Sequence, residues 1–385
     1  MKLRILALSF HELKSVAEMN SRDGKQSLRD TLRTDFRTMD LREGIERDFR
    51  EMMALFLTDE QKTALLGMRL PRKILYIPIW ILRAMLLRLT PTRRFLLLIG
   101  ALLIVFMQNS QDSGMSGGQF IGALLFVFIL ILELKDKILA RDELEAGRAV
   151  QIALMPDERP RFKGWDIYLF SRPANDVGGD MVDFIYVDED RLGLSLGDVA
   201  GKGLGAALFM AKLQATIRAL APARTSVSNL GTQLSEIFDR DGIPSRFASL
   251  VYLEIMRNVG DVCVLNAGPM PPMVFRGGVM ETLPRGGPAL GLLCHRNYEE
   301  IALSLNTGDL LVVYSDGVTE ARNPTGDFFG DDRLQKLLLR YHELPVHELG
   351  HLLVERVDHF TAEAPRHDDL SLLLLRKVAV PDADA

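Results

Sequence analysis

The stretch LGLSLGDVAGKGLGAALFMA, residues 192–211, permits few local structures. An apolar run of strand type ends on an acid, Asp198. Glycines follow at 201, 203 and 205, and an alanine-rich helical pattern begins at once. A carboxylate at the end of a buried strand is costly to desolvate unless a cation or hydrogen bonds meet it. The glycines let the chain turn tightly after the acid and bring a helix close to it. The first constraint is therefore a strand–turn–helix unit with a charged site at its bend.

The same pattern recurs around it. From Gly164 onward, β-like runs stand near 183–187, 192–198, 247–256, 261–266, 272–276, 300–304, 309–314 and 370–376, with helical periodicity over 204–220, 227–240, 331–341 and 346–362. Strands cluster, helix pairs intervene and strands resume. That order predicts an α+β domain with largely antiparallel sheets rather than strict βαβ alternation. The run DLLVVY (309–314) lacks polar alternation after its first residue and is expected as a central strand covered on both faces.

Acids collect where these strands end: Asp180 and Asp183 in VGGDMVDF, Asp198 in LSLGDVAGKG, Asp316 in VVYSDGVTEA, and Asp368 and Asp369 in RHDDLSLLLL. One Asp-Gly after a strand is ordinarily a turn. Four such places in one domain would repel unless cations neutralised them, so the set points to bound metal. Oxygen ligands without His or Cys favour Mg²⁺ or Mn²⁺ over zinc.

The ordered motifs RPANDVGGDMVDF, GDVAGKGLGAALFMA, FASLVYLEI, LNAGPMPPMVFR, GDLLVVYSDGVTEARNPTGDFFG and HDDLSLLLL, over about 150–377, resemble the SpoIIE/RsbU-type branch of the metal-dependent, 2C-like (PPM) protein Ser/Thr phosphatases. The resemblance implies an α-β-β-α sandwich with two Mn²⁺ or Mg²⁺ ions. By motif, Asp180 and Asp198 become ligands, Asp198 bridging both ions with help from the Val199 carbonyl, and Asp316 and Asp368 complete the set. These four carboxylates would act in catalysis through a metal-activated water. Asp369 would stand behind the ligands, and Asp183 matches a recurrent family acid. The resemblance also implies a phosphoserine or phosphothreonine substrate on a regulatory protein, the STAS-type anti-sigma-factor antagonist class. One departure is AGPMPP, where Pro269 stands at a position the family commonly gives to histidine. The chemistry agrees with the resemblance: two divalent ions clamp a phosphoryl group for in-line attack with no protein nucleophile.

Three other readings compete. HELGH (347–351) matches the HExxH zinc-protease pattern, but Val346, Leu349, Leu352, Leu353, Val357 and Phe360 form the apolar helix face and leave His347 and His351 roughly opposite, as a solvated pair. Gly201, Gly203 and Ala206 satisfy a dinucleotide-binding spacing, yet the following segment, APARTSVSN, has neither the second strand nor its acid. A catalytically inactive phosphatase-fold scaffold is the alternative from another class, and the intact acids argue against it.

The preceding half has a different composition. FLLLIGALLIVFM (95–107) and FIGALLFVFILIL (120–132) flank a polar, glycine-rich connection. Each is shorter than the roughly 20 residues a spanning helix needs. Arg93 and Arg94 before the pair and Lys135 and Lys137 after it predict a two-pass hairpin with both outer ends in the cytoplasm. The boundaries expected are a cytoplasmic helical segment over 1–92 with an interfacial stretch at 74–89, the hairpin over 93–134, a linker helix over 135–156, the phosphatase domain over 157–378 and a tail over 379–385. Stepping by seven from Ile138 reaches Glu145, so the heptad fit is poor, and a homodimer through the linker stays open. The net charge of −5 argues against a nucleic-acid partner. Two cysteines, Cys263 and Cys294, in no metal or disulfide spacing, fit a reducing, cytosol-facing domain. The whole reads as a multi-pass cell-membrane protein with its phosphatase domain in the cytoplasm.

Overall fold

A computed structural model describes residues 52–53, 56–106, 117–224, 226–241, 246–293 and 297–379. The chain divides into two compact units, Met1–Lys135 and Asp136–Ala385. The segment expected as helical before residue 52, the centre of the hairpin connection, Cys294 and most of the tail lie outside the described residues.

The described part of the first unit is helical: α1 (Asp59–Leu66), α2 (Leu70–Arg88), α3 (Pro91–Phe106) and the first part of α4 (Gly117–Leu154). Thr58 and Gln61 form a capping box at the start of α1, each side chain accepting from the other's backbone N–H, at 3.4 and 3.0 Å. Helices α3 and α4 approach closely at Gly100 and Gly122, where a Cβ on Gly122 would stand 2.7 Å from the Gly100 carbonyl oxygen. Small residues permit such contact between apolar helices. An Arg93–Glu133 ion pair of 2.7 Å joins their polar ends. Phe95, Leu98, Leu102, Phe120, Leu124 and Val127 remain exposed. Helix α4 continues unbroken to Leu154, so the hairpin's second arm and the linker are one helix.

The second unit holds two five-stranded antiparallel sheets. In chain order its elements are β1 (Trp165–Arg172), β2 (Met181–Tyr186), β3 (Arg191–Val199), α5 (Leu204–Leu220), α6 (Val227–Arg240), β4 (Ala248–Met256), β5 (Asp261–Ala267), β6 (Met273–Arg276), β7 (Val279–Thr282), β8 (Glu300–Ser304), β9 (Leu310–Tyr314), the single turn α7 (Asp316–Thr319), α8 (Gly330–Tyr341), α9 (Val346–Thr361) and β10 (Leu370–Lys377). One sheet has the order β1-β10-β9-β6-β7 and the other β2-β3-β4-β5-β8. DLLVVY is indeed central, as β9 between β10 and β6.

Alternation along the strands builds four layers. In β10, Leu373 and Leu375 face the other sheet's Leu194, Leu196, Val251 and Leu253, while Leu372 and Leu374 face Leu334, Leu338, Leu349 and Leu353 of α8 and α9. On the opposite side, Phe209, Leu213 and Ile217 of α5, with Leu234 and Phe238 of α6, cover Leu250, Tyr252 and Leu265. The result is the expected α-β-β-α sandwich. Because both faces of each sheet are covered, central strands read as unbroken apolar runs. Two described segments are long and apolar enough to cross a membrane, α4 and Leu204–Ala223. The second is the α5 core helix, whose apolar face is buried against β3 and β4.

Candidate active site

The turn after β3 shows why its residues are glycines. Gly201 and Gly203 have φ of +108° and +77°, a region that side chains with a Cβ rarely enter. The reversal starts α5 at Leu204, beside the end of β3 that carries Asp198 and Val199. The Val199 N–H donates to the Gly179 carbonyl at 3.3 Å. Its own carbonyl oxygen lies where a Cβ on Gly179 would come within 2.9 Å. Residues 178–180 and the end of β3 thus form one packed corner.

Four acids meet there. Asp180 is 5% exposed, and its Oδ2 is buried without a hydrogen-bond partner. Burial, then the negative charge of Asp198, hold its carboxyl well above the usual carboxylate range. Asp198 is pushed up to about 7 by burial and by the charges of Asp316, Asp368 and Asp369, with Lys202 opposing them. Asp316, the first residue of α7, is raised by burial and by Asp368. Asp368 lies at the rim, half exposed, with Lys202 Nζ 3.2 Å from its Oδ2. The two sheets supply this cluster together: Asp180 and Asp198 from the β2–β3 side, Asp316 and Asp368 from the ends of β9 and β10.

Asp369 is occupied otherwise. Its Oδ1 accepts the Ala174 N–H at 2.7 Å, and its Oδ2 accepts those of Gly179 and Asp180 at 2.6 and 3.2 Å. It holds the loop that presents Asp180. Asp183 stands apart from the cluster on β2, buried and paired with Arg218 of α5 through two hydrogen bonds of 2.7 Å. It fastens helix to sheet, and its oxygens are already committed. Pro269 is exposed beside Gly268, which packs on Ser249, the residue paired with Asp198 across β3 and β4.

Sequence reasoning missed a third support. Gln151, near the end of α4, is 5% exposed and makes paired hydrogen bonds to Gly178, donating to its carbonyl at 3.1 Å and accepting its N–H at 3.0 Å. Gln214 of α5 donates to the Leu154 carbonyl at 2.9 Å. Asp180, Gln151 and Gln214 line a cavity of about 110 Å³ with Met155, Met181 and Met210. A glutamine in an amphipathic linker carries no signal that would single it out.

Among the described residues, no three His, Cys, Asp or Glu side chains are arranged as a finished cage for one cation. The donor set nevertheless fits a hard divalent cation. It consists of carboxylates that raise one another's protonation, a buried carboxylate oxygen without a donor, and a strand-end carbonyl at the same corner. The HELGH histidines do not join it. His347 and His351 lie on α9 with Nε2 atoms 3.0 Å apart and both rings against Tyr168, half-buried and exposed respectively, so they are less fully solvated than their helix position predicts.

The fold and this corner define the sandwich of the metal-dependent, 2C-type phosphatases. The solved SiaA-PP2C domain of Pseudomonas aeruginosa has the same fold, with a TM-score of 0.53 at 20% identity over 63% of this chain and 98% of that one. The RsbU and RsbW domains of Rv1364c from Mycobacterium tuberculosis give 0.51 at 23% identity, over 57% and 62%. Residues 188–378 match the family described as Stage II sporulation protein E (SpoIIE), so this domain is of the SpoIIE/RsbU type of PPM phosphatase. Among curated proteins it is 29% identical to Protein IcfG of Synechocystis sp. over 69% of this chain and 46% of that protein. It is 26% identical to phosphoserine phosphatase RsbU of Bacillus subtilis over 62% and 70%. The chain thus spans less than half the length of the first of these relatives.

Proposed function

We propose that this protein is a membrane-anchored, metal-dependent protein Ser/Thr phosphatase that removes phosphate from a phosphoserine or phosphothreonine of a regulatory protein. The observation that carries the reading is the convergence of Asp180, Asp198, Asp316 and Asp368 from the strand ends of both sheets, in a domain of this family. Asp180, Asp198, Asp316 and Asp368, with the Val199 carbonyl, would hold two Mn²⁺ or Mg²⁺ ions. When bound, such ions supply Lewis-acid activation of water and neutralise charge on the phosphoryl group. Asp369 and Gln151 fix the Asp180 loop, and the Gly201–Gly203 turn fixes the end of β3.

The name of the relative RsbU, a phosphoserine phosphatase, supports the substrate class. A STAS-type antagonist is the partner proposed, since a site that relies on ions to hold the phosphoryl group needs an exposed phosphorylated side chain and takes the rest of its specificity from the partner's surface. Exposed apolar side chains along α3 and the first half of α4 support the hairpin anchor, with the phosphatase domain on the cytoplasmic side. The test is phosphate release from a phosphorylated STAS protein by the detergent-purified full chain, with and without Mn²⁺. Manganese-dependent release supports the reading, and equal release in excess chelator contradicts it.

A further inference from the structure

The fold positions the Arg246 guanidinium at the turn after Asp198, without a counter-ion among the described residues. The β3–β4 pairing extends past its strand ends, the Ala200 N–H donating to the Phe247 carbonyl at 2.9 Å, which brings Arg246 alongside the turn after Asp198. There the side chain lies across two glycines. A Cβ on Gly201 would stand 3.1 Å from Nη1, and one on Gly205 would stand 2.5 Å from Nη2 and 3.0 Å from Cζ. Nη1 is buried and has no hydrogen-bond partner.

A buried cationic N–H without an acceptor is destabilising. Its position adds to the cost, because Gly205 belongs to the first turn of α5, where unpaired backbone N–H groups make the helix end positive. The neighbouring cation is engaged elsewhere: Lys202 is bound to Asp368 Oδ2 and to the His367 carbonyl. Two positive features packed together, with no acid bound to them among the described residues, select one ligand class, an oxyanion from outside the chain.

We propose that Arg246 receives an oxyanion of the incoming phosphoprotein beside the acid cluster, so that it is a substrate-recognition residue. The proposal rests on the phosphatase reading and deepens it. The shared chemistry is a delocalised oxyanion taken by the planar guanidinium. Its two sources are the phosphoryl group itself and a carboxylate flanking the phosphorylated residue.

The experiment uses the full chain in detergent, as wild type, Arg246→Met, Arg246→Lys and Gly205→Ala. The last keeps the arginine but places a methyl group where its guanidinium rests, at a helical position that favours alanine. Two phosphoserine peptides, one with neutral and one with acidic flanks, are assayed with Mn²⁺. Manganese affinity without peptide and inorganic phosphate affinity are measured by calorimetry. Arg246→Met and Gly205→Ala should raise KM about tenfold, the loss of one charge-assisted hydrogen bond, with Arg246→Lys between them and wild type. A rise on both peptides, with weaker phosphate binding, identifies the phosphoryl group. A rise confined to the acidic-flank peptide identifies the carboxylate. Unchanged KM on both peptides overturns the proposal. So does a fall in manganese affinity that accompanies the KM change, which would make Arg246 a support for the turn. If the wild type releases no phosphate, the phosphatase reading fails, and phosphate affinity of wild type against Arg246→Met still decides whether Arg246 binds an oxyanion.

Discussion

The Asp369 carboxylate accepts the Gly179 N–H at 2.6 Å, although the two residues are 190 positions apart. The start of β10 thereby sets the loop that carries Asp180, and the two sheets meet at the acid cluster through this contact. Replacing Asp369 with Ala leaves the N–H groups of Ala174, Gly179 and Asp180 without their acceptor. The variant should lose about 2–4 kcal/mol of stability, read by denaturant unfolding. Its Mn²⁺ affinity should fall at least about tenfold as Asp180 loses its position. Unchanged affinity would remove Asp369 from the support of the site.

Asp183 separates a structural acid from a ligand. Its bidentate pair with Arg218 joins β2 to α5, and the Arg218 side chain is 46% exposed. Because water can solvate the arginine left behind, Asp183→Ala should destabilise by only about 1–2 kcal/mol. Calorimetry should find manganese affinity unaltered. A tenfold loss of affinity would place Asp183 among the ligands.

Gln151 tests whether α4 is more than a tether. Gln151→Leu keeps the volume but leaves both backbone groups of Gly178 unpaired, two residues before Asp180. We expect a loss of about 2 kcal/mol and several-fold weaker Mn²⁺ binding in the full chain. Identical metal affinity would make the helix a passive connection.

The acid cluster fixes the sign of a pH dependence. The carboxyls of Asp198, near 7, and Asp180 stay protonated in the metal-free folded domain at pH values where the unfolded chain has released those protons. Stability of the metal-free protein is therefore full below about pH 4 for these groups and declines as pH rises toward 7. Saturating Mn²⁺ should reverse the trend, because cations compete with protons for the same oxygens. Thermal unfolding in chelator at pH 5 and pH 8 checks this, and greater metal-free stability at pH 8 would contradict it.

The sequence shows the acids more clearly than their supports. Asp198 and Asp316 stand out because strand patterns run out on them, Asp180 and Asp368 because strand patterns begin just after them, and the helices over 204–220 and 346–362 stand out by apolar periodicity. β1 does not: WDIYLFSR mixes acid, aromatic and polar residues, since Tyr168 faces the helices while Ile167 and Leu169 face the other sheet. β7 is four residues long and almost wholly exposed, so no face imposes alternation. The partnerships Asp369–Gly179, Asp183–Arg218 and Gln151–Gly178 join residues 27 to 190 positions apart, and each depends on a backbone approach that pattern alone does not encode. In HDD, only the resemblance separates the two adjacent acids in the sequence, whereas in the fold the 174–180 loop occupies Asp369.

The most direct test of the account is Asp198→Asn. Asp198 is proposed as one of the carboxylates that would hold the cations, while in the metal-free state it stands among charges that repel it. Manganese-dependent phosphate release from a phosphorylated STAS protein should fall at least about a thousandfold in the variant, a transition-state loss of roughly 4 kcal/mol. The metal-free protein should unfold at the same or a higher denaturant concentration than wild type, since the repulsion is relieved. Near-normal turnover by a folded Asp198→Asn protein would contradict the assignment of this corner as the catalytic centre.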